Sequence, residues 1–250
     1  MAQHMWTEKF DLHSHSTNSD GQHLVEDVAY MMSESNVRYW SLTDHDTISG
    51  WDAAQTAAEA NGMVFIPGVE ITCMPGLPAE SSILGLRNQE RASDSWHLLA
   101  YFPSMKFQSD QHRNFQAWLA PLGEGRIPRM LTMIEKLGEL GMPVDFDAVL
   151  ARAGDSVGRP HLADEMMALG YIETRQEAFD KWIGDGKPAH ISRPQPSITD
   201  ACAAVHAAGG ITSLAHPFYY CIDTDALVAF CLQSDVDAIE CFHRSHSDAY

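Results

Sequence analysis

The sequence predicts an α/β protein in which a body of alternating strands and helices is interrupted by a purely helical segment. Three observations predict it: short apolar stretches alternate with helical patterns over about the first hundred residues, several helical patterns then follow without a strand, and the alternation resumes near the C-terminal end. Strands that alternate with helices favour a parallel sheet or a barrel.

The predicted elements follow from apolar spacing and from turn residues. The first strands are Lys9–His13, Arg38–Thr43, Met63–Ile71 and Trp96–Phe102, with helices at Leu24–Asn36 and Ser49–Asn61. The helical patterns that follow are Asp110–Pro121, Arg126–Leu140, Asp145–Ala153, Pro160–Leu169 and Thr174–Ile183. The alternation resumes with helix Ile198–Ala208, strand Ile211–His216, helix Thr224–Leu232 and strand Val236–Phe242. We therefore predict a body formed by 1–103 and 192–250, a helical insertion at 104–191, and a polar loop at 75–95 that is a candidate lid.

Composition limits the classes of function. The formal net charge of −18 argues against a broad binding face for nucleic-acid backbones, although metals or local Arg and Lys side chains can still meet a small anionic substrate. No apolar run approaches the roughly 18 residues that cross a bilayer, so no membrane partner is expected. The five cysteines are odd in number and form no CxxC pair, which favours buried, reduced thiols and a cytoplasmic location.

The strongest local signal is the segment Asp11-Leu12-His13-Ser14-His15. Two histidines at positions i and i+2 of a strand point to the same face, so both imidazoles can reach one cation. Asp20 follows in a turn and can fold back onto the same place. The alternative is that His13 and His15 are ordinary surface histidines, because short motifs often arise by chance.

Two further signals lie at the ends of predicted strands, where barrel active sites are built. His45 follows an apolar strand within Thr43-Asp44-His45-Asp46, and Glu70 closes MVFIPGVE. A carboxylate such as Glu70 can bridge two metals about 3.5–4 Å apart. The alternatives are that Asp46 caps the next helix while His45 is incidental, and that Glu70 forms a salt bridge with an arginine.

His97 and His216 each lie in a strand-like run, and either alone is explained as a satisfied core histidine. Taken together, however, five successive strand candidates each bring a His, Asp or Glu near a strand end. Because such ends converge on one face of a barrel, the pattern predicts a shared metal cluster. Bound metals would lower the pKa of water to about 7 and polarise a phosphoryl oxygen.

The ordered motifs DLHSHSTNSDG, LTDHDT, GVEIT, WHLLAYF and LAHP resemble the PHP (polymerase and histidinol phosphatase) superfamily, in particular its small nucleotide-acting phosphoesterases. The resemblance implies a distorted (β/α)7, TIM-like barrel with an inserted helical domain and two to three divalent metals, drawn from Mn, Fe, Zn and Mg. It implies that His13, His15 and Glu70 hold one metal. Glu70 would bridge to a second metal completed by His97 and His216, while Asp20 and His45 help to hold a third.

The resemblance also implies phosphate-binding residues in the insertion. Arg159 and His161 stand at a helix start, where phosphate binds readily, and are the candidate catalytic residues. Further candidates for substrate binding are Arg126, Arg129, Lys187 and His246, each of which has the alternative of a plain solvated side chain.

The sequence departs from the family's pattern at the end of the chain. The family supplies two more ligands from a Gly-Ser-Asp-x-His-type motif, which is absent here; either a C-terminal segment is missing from the sequence or the centre is incomplete.

The predicted function is therefore a metal-dependent phosphoesterase that uses metal-activated hydroxide on a small phosphorylated nucleotide. The candidate substrates are a nucleoside 3′,5′-bisphosphate and the ends of short RNA. Two alternatives remain: a histidinol-phosphate or sugar-type phosphatase, and a non-catalytic PHP module, because a fold does not fix a function. Oligomeric state is not predicted.

Overall fold

The computed structural model describes residues 9–75, 95–153, 157–192, 194–220 and 222–243. Within these ranges the strands form two sheets, one of order β1-β2-β3 and one of order β4-β5-β6-β7. The strands are β1 (Phe10–Ser14), β2 (Tyr39–Leu42), β3 (Val64–Phe65), β4 (Gly68–Cys73), β5 (Trp96–Tyr101), β6 (Ile211–Leu214) and β7 (Ala238–Ile239). The result is a mixed α/β fold.

The first sheet has the parallel arrangement that the alternation predicts. Phe10 pairs with Tyr39 across β1 and β2, and Tyr39 pairs with Val64 across β2 and β3. Helices α1 (Val25–Glu34) and α2 (Trp51–Ala60) provide the two crossovers and pack against each other. Parallel neighbours need such crossovers, so the local pattern and the topology agree.

The second sheet departs from the prediction of a wholly parallel arrangement. β5 runs antiparallel to both β4 and β6, whereas β6 and β7 are parallel. The sequence between β4 and β5 has a polar loop composition with no helical pattern, and strands joined without a crossover helix run antiparallel. β5 is therefore a single reversed strand between two strands that share one direction.

The predicted continuous strand Met63–Ile71 is also wrong, because the chain changes sheets at Ile66 and Pro67. The N–H of Ile66 still bonds to the first sheet through Trp40 O at 2.8 Å. Pro67 has no N–H to continue that ladder, and its carbonyl accepts instead from Phe102 N at 2.8 Å, beside the second sheet. An isolated parallel bridge between His45 and Glu70 then joins the two sheets.

The helices after β5 are α3 (Asp110–Glu124), α4 (Arg126–Glu139), α5 (Phe146–Arg152), α6 (Arg159–Ala168) and α7 (Arg175–Ala178), which continues into a π-helix at Phe179–Ile183. Two more, α8 (Ile198–Ala207) and α9 (Thr224–Gln233), flank β6, which is followed by a 3₁₀ turn at Pro217–Tyr220. Side chains of Ser109, Asp145, Thr174, Ser197 and Asp223 cap five of these helices by accepting a backbone N–H.

Two large apolar cores and one small apolar cluster hold the described residues together. The large core fills the space between the sheets and their flanking helices and includes Trp40, Ile71 and Leu98. Phe115 and Leu119 of α3 belong to this core. A second core, which runs from Met130 to Ala189 in sequence, lies among the later helices. Among the described residues no helix is long and apolar enough to cross a membrane.

Candidate metal centre

Glu70 lies at the centre of a cluster of imidazoles. Its side chain is 1% exposed, and its two carboxylate oxygens face different histidines. The Oε2 atom lies 3.2 Å from His13 Nε2, 3.1 Å from His15 Nε2 and 3.4 Å from His45 Nδ1. The Oε1 atom lies 3.0 Å from His97 Nδ1 and 2.9 Å from His216 Nε2. The alternative of an arginine salt bridge for Glu70 is therefore wrong.

The topology explains why residues so distant in sequence meet. His13 lies in β1, His45 follows β2 and His216 follows β6, so three parallel strands deliver histidines at their carboxyl ends. His97 instead lies at the start of β5 and pairs with Thr72 near the end of β4. Because β5 is reversed, its beginning reaches the same edge of the sheet as the ends of its neighbours.

Asp20 supplies a second carboxylate beside this cluster. Its Oδ1 lies 3.5 Å from His15 Nδ1, and its Oδ2 lies 3.6 Å from His45 Nε2. His15 and His45 therefore each direct one ring nitrogen towards Glu70 and the other towards Asp20. Among the described residues, the ligand atoms close enough to share a cation form three groups: His13, Glu70 and His216; His15, Asp20 and His45; and His45, Glu70 and His97. The seven side chains that the sequence singled out thus lie in one place, with His15 grouped with Asp20 rather than with His13.

This donor set fits divalent cations. Imidazole nitrogens and carboxylate oxygens together are ligands of zinc, iron and manganese. His45 Nδ1 is buried and has no hydrogen-bond partner, although it points at Glu70 from 3.4 Å. A buried polar atom without a partner is costly, and a cation between His45 and Glu70 would satisfy it. With its two oxygens facing separate histidines, Glu70 is placed to bridge two such cations.

Burial and charge set the protonation of the cluster without a cation. Burial favours the uncharged form of Glu70, yet His45, His97 and His13 hold its pKa well below the usual range. Burial lowers the pKa of His45 to about 3, against the opposing charges of Glu70 and Asp20. His13 behaves differently: burial opposes its charge, but Glu70 and Glu240 raise its pKa to about 10. Glu70 is thus a carboxylate ion and His45 a neutral ligand.

Two further aspartates brace the loops that carry the ligands. Asp44 accepts from the backbone N–H and the hydroxyl of Ser16, both at 2.7 Å, and from the hydroxyl of Ser19, which fixes the turn leading to Asp20. Asp46 accepts from the N–H of Thr72 at 2.7 Å and from its hydroxyl at 2.8 Å. The interpretation of Asp46 as a helix cap is wrong, because α2 begins after Gly50 with no side-chain cap.

Glu240, which immediately follows β7, is a residue of this site that the sequence patterns did not predict. Its Oε1 lies 2.9 Å from His13 Nδ1, and its Oε2 accepts the backbone N–H of His216 at 2.6 Å. The signal was present in VDAIECF, where a carboxylate lies near the end of the last strand candidate, as Glu70 does in the candidate Met63–Ile71. His243 was likewise not predicted, and its ring centroid lies 5.4 Å from that of His216.

Only some of the predicted substrate-binding residues line the cleft that contains the histidine cluster. Arg159 and Lys187 line the large open cleft above the histidine cluster, together with Arg175. Arg159 Nη1 lies 2.7 Å from Asp185 Oδ1, and its guanidinium stands 5.5 Å from the centre of the Phe179 ring.

Within the described residues, the other predicted ones are not among those that line the cleft. His161 is buried at the start of α6, where its Nδ1 accepts the N–H of Gly158 at 3.0 Å. Arg126 is paired with Asp46, and Arg129 Nε donates to Ile191 O at 2.6 Å. His246 and most of the 75–95 lid candidate lie outside the described residues.

The cysteine prediction holds in part. Within the described residues Cys73, Cys202 and Cys231 are buried and form no disulfide. Cys241 also forms no disulfide but is exposed, so its predicted burial is wrong. Cys221 lies outside the described residues.

Comparison with known proteins agrees with this geometry. A family model described as the PHP domain matches residues 11–169. A 5′-3′ exoribonuclease of Haemophilus influenzae is 31% identical over 215 residues, which cover 86% of this chain and 70% of that protein. A 3′,5′-nucleoside bisphosphate phosphatase of Chromobacterium violaceum is 28% identical over 213 residues, covering 84% and 67% respectively.

Among solved structures, a predicted metal-dependent phosphoesterase of Bifidobacterium adolescentis superposes with a TM-score of 0.74 at 28% identity. The match covers 96% of this chain and 79% of that one. The fold, the ligand cluster and these relatives together define a metal-dependent hydrolase of phosphate esters. The chain belongs to the PHP domain family.

Proposed function

We propose that the protein hydrolyses phosphate esters of small nucleotides, with a nucleoside 3′,5′-bisphosphate or the end of a short RNA as substrate. The observation that carries this proposal is the position of the ligand cluster in a cleft that Arg159, Arg175 and Lys187 also line. A cation site opposite basic side chains suits a phosphate group between them. The names of the exoribonuclease and the bisphosphate phosphatase support a nucleotide substrate.

The proposal includes two to three divalent cations, drawn from Mn, Fe, Zn and Mg, held by the three ligand groups around Glu70. Such cations, when bound, activate water for attack and neutralise charge on the phosphate. The protein's own contribution is to fix the ligands. Glu70 remains ionised among the histidines, while His45 is neutral and offers the lone pair of one ring nitrogen.

Arg159 is proposed to bind and orient the phosphate. Asp185 and the Phe179 ring hold its guanidinium against one wall of the cleft. Because a guanidinium carries five N–H donors in a fixed plane, donors remain for phosphate oxygens when one nitrogen faces Asp185. Lys187 and Arg175 add positive charge along the same cleft. Arg126 and Arg129, which have protein partners, are proposed to act more indirectly.

His161 is proposed to assist by donating a hydrogen bond. Its Nδ1 accepts from Gly158 N, so a neutral ring carries its hydrogen on Nε2. Burial lowers the pKa of His161, which favours this neutral form. A neutral donor near developing negative charge would offset that charge in the transition state.

The architecture is proposed to be the distorted (β/α)7 barrel of the family, with 1–103 and 192–250 as the body and 104–191 as a helical insertion domain. The separate apolar core from Met130 to Ala189 supports the insertion. The packing of Phe115 and Leu119 with the sheet core supports a close attachment of α3 to the body. A cytoplasmic location is part of the proposal and is supported by the reduced state of the described cysteines.

The test is a substrate panel with the Mn²⁺-loaded protein. Adenosine 3′,5′-bisphosphate, a 5′-phosphorylated oligoribonucleotide, histidinol phosphate and a sugar phosphate are supplied separately, and released phosphate and mononucleotide are measured. We expect turnover of the first two, loss of turnover after chelation, and loss in His13→Ala. The control is His206→Ala, which removes a histidine that pairs with Asp237 away from the cluster. Preference for histidinol or sugar phosphate, or full activity of His13→Ala without metal, contradicts the proposal.

A further inference from the structure

Glu240 lies directly behind the ligand cluster, although it belongs to none of the three ligand groups. Its two oxygens are used differently. One lies 2.9 Å from His13 Nδ1, and the other accepts the backbone N–H of His216 at 2.6 Å. His13 and His216 are members of the same ligand group, with Glu70 as the third. A single carboxylate therefore contacts two of the three ligands of one candidate cation.

The contact with His13 selects one tautomer of the ring. His13 lies between two carboxylates, with Nδ1 facing Glu240 and Nε2 facing Glu70 at 3.2 Å. An acceptor at Nδ1 keeps the hydrogen of a neutral imidazole on that nitrogen. The lone pair is then on Nε2, on the side of Glu70 and the cation position. Carboxylates placed behind ligating histidines commonly fix ring orientation and raise ligand basicity in this way.

The contact with His216 acts on the backbone. His216 has a φ of +28°, in the left-handed region that residues other than glycine seldom adopt, and Pro217 follows it. Such a conformation persists only when surrounding contacts hold it. The short bond from His216 N to Glu240 is one of those contacts. It fixes the turn after β6 and with it the direction in which the His216 ring leaves the chain.

We infer that Glu240 is a positioning residue, which sets the tautomer of His13 and the backbone of His216 for the cation that they share with Glu70. The inference rests on the proposed function to the extent that it requires a divalent cation in this group. It adds a carboxylate that reaches the cation through His13 rather than by direct contact. The side chain of Glu240 is 12% exposed, so solvent competes little with these two bonds.

The experiment compares Glu240→Gln with Asp237→Asn. Glutamine has nearly the same shape but carries an NH₂ group in place of one carboxylate oxygen, so one of the two N–H groups, His13 Nδ1–H or His216 N–H, would face a donor. Asp237 is the matched control, because it precedes β7 and likewise accepts a backbone N–H of β6, from Thr212 at 2.8 Å. Mn²⁺ binding is titrated by electron paramagnetic resonance. The tautomer of His13 is determined from nitrogen-15 spectra of the Zn²⁺-loaded protein.

We expect Glu240→Gln to weaken the binding of one Mn²⁺ equivalent by about 10–100-fold, whereas Asp237→Asn leaves Mn²⁺ binding unchanged. In the unmodified protein we expect His13 to carry hydrogen on Nδ1 and to bind Zn²⁺ through Nε2. Equal Mn²⁺ affinity in Glu240→Gln and the unmodified protein overturns the inference, and so does zinc on Nδ1 of His13. The spectrum of the unmodified protein decides the matter even if Glu240→Gln does not fold. If the unmodified protein binds no divalent cation, the proposed function itself fails.

Discussion

The guanidinium of Arg126, the first residue of α4, is paired with the buried carboxylate of Asp46, the residue that follows His45. The Arg126 side chain is 12% exposed and that of Asp46 is fully buried. Asp46 also accepts two hydrogen bonds from Thr72. One buried carboxylate thus connects the helices after β5, the loop bearing His45 and the strand bearing Glu70.

Replacing Arg126 by methionine is expected to lower the free energy of unfolding by about 3–5 kcal/mol, because it leaves a buried charge without its partner. Urea unfolding followed by circular dichroism measures the change. The control is Arg113→Met, since the Arg113–Asp110 pair is largely exposed and such pairs contribute about 0–1 kcal/mol. If both substitutions lower the free energy of unfolding by the same small amount, the Arg126–Asp46 pair does not stabilise the fold.

Gly68 is expected to tolerate no side chain. A Cβ at this position would lie 2.1 Å from Ser41 Oγ and 3.0 Å from Thr43 Cγ2, at the start of the strand that carries Glu70. Gly68→Ala should therefore destabilise the protein by about 1–3 kcal/mol, as overpacking does. Gly138→Ala is the matched change in α4, where a Cβ meets nothing within 4 Å. It should stabilise the protein by about 0.5–1 kcal/mol. Thermal unfolding of the two variants tests both signs.

Asp237 is expected to make stability depend on pH. Its slight burial opposes ionisation, but hydrogen bonds from His206 and Thr212 lower the pKa of Asp237 below its usual value. A carboxyl whose pKa is lower in the folded state stabilises the protein above its unfolded pKa of about 3.9, and the effect is lost as pH falls through the folded pKa. The difference in unfolding free energy between the unmodified protein and Asp237→Asn should shrink as pH falls below about 4. Urea titrations between pH 3 and 6, a range of roughly one unit below to two units above that value, measure it; a difference independent of pH contradicts the assignment.

Divalent cations are expected to raise the melting temperature. A ligand that binds only the folded state stabilises it by about 2.7 kcal/mol when its concentration is a hundredfold above Kd. Differential scanning calorimetry with Mn²⁺ and with a chelator should reveal this shift. His45→Ala should reduce the shift, because His45 belongs to two of the three ligand groups. His206→Ala should preserve it, and an equal loss in both variants would indicate a general effect of removing histidines.

Arg159→Ala is expected to lower kcat/KM for a nucleotide substrate by about 10–100-fold, corresponding to roughly 1.4–2.7 kcal/mol of transition-state binding. Its Mn²⁺ content should stay unchanged. Arg159→Lys should recover little, because an ammonium group cannot reproduce the planar fork that faces Asp185. Lys181→Ala is the control, since Lys181 is exposed and pairs with Glu177. Unaltered kcat/KM in Arg159→Ala would remove this residue from the proposed substrate site.

Four residues of the candidate metal centre follow local rules that do not require the fold. His13 and His15 share a strand face, and His45 and Glu70 close apolar strands. The partner of Glu240 could not be predicted, because Glu240 acts through His13, 227 positions earlier in the sequence. The parallel first sheet followed from its two crossover helices. The reversal of β5 depends on the segment that joins it to β4, which has a polar loop composition and no helical pattern. The alternation of strands and helices along the chain does not reveal this reversal.

The arginines show a second limit of prediction from sequence. Arg126 and Arg159 both begin helices and look alike in sequence, yet Arg126 is turned to Asp46 while Arg159 lines the cleft. Which of them can reach a substrate depends on packing between α4, α6 and the sheets. Spacing along the chain carries no such information.

Because β5 is reversed, the chain leaves it at the side of the sheet opposite the histidines, and α3 brings the chain back towards them. β5 ends at Tyr101, beside the beginnings of β4 and β6, on the far side of the fold from the histidines. α3 contains 15 residues, or about 22 Å of helix, close to the roughly 20 Å spanned by the six residues of β5. The length of α3 therefore brings Arg126 to the level of Asp46. Deleting one residue from α3 would shorten it by about 1.5 Å and turn the chain after it by roughly 100°, which would move Arg159, Arg175 and Lys187 out of line with the histidine cluster.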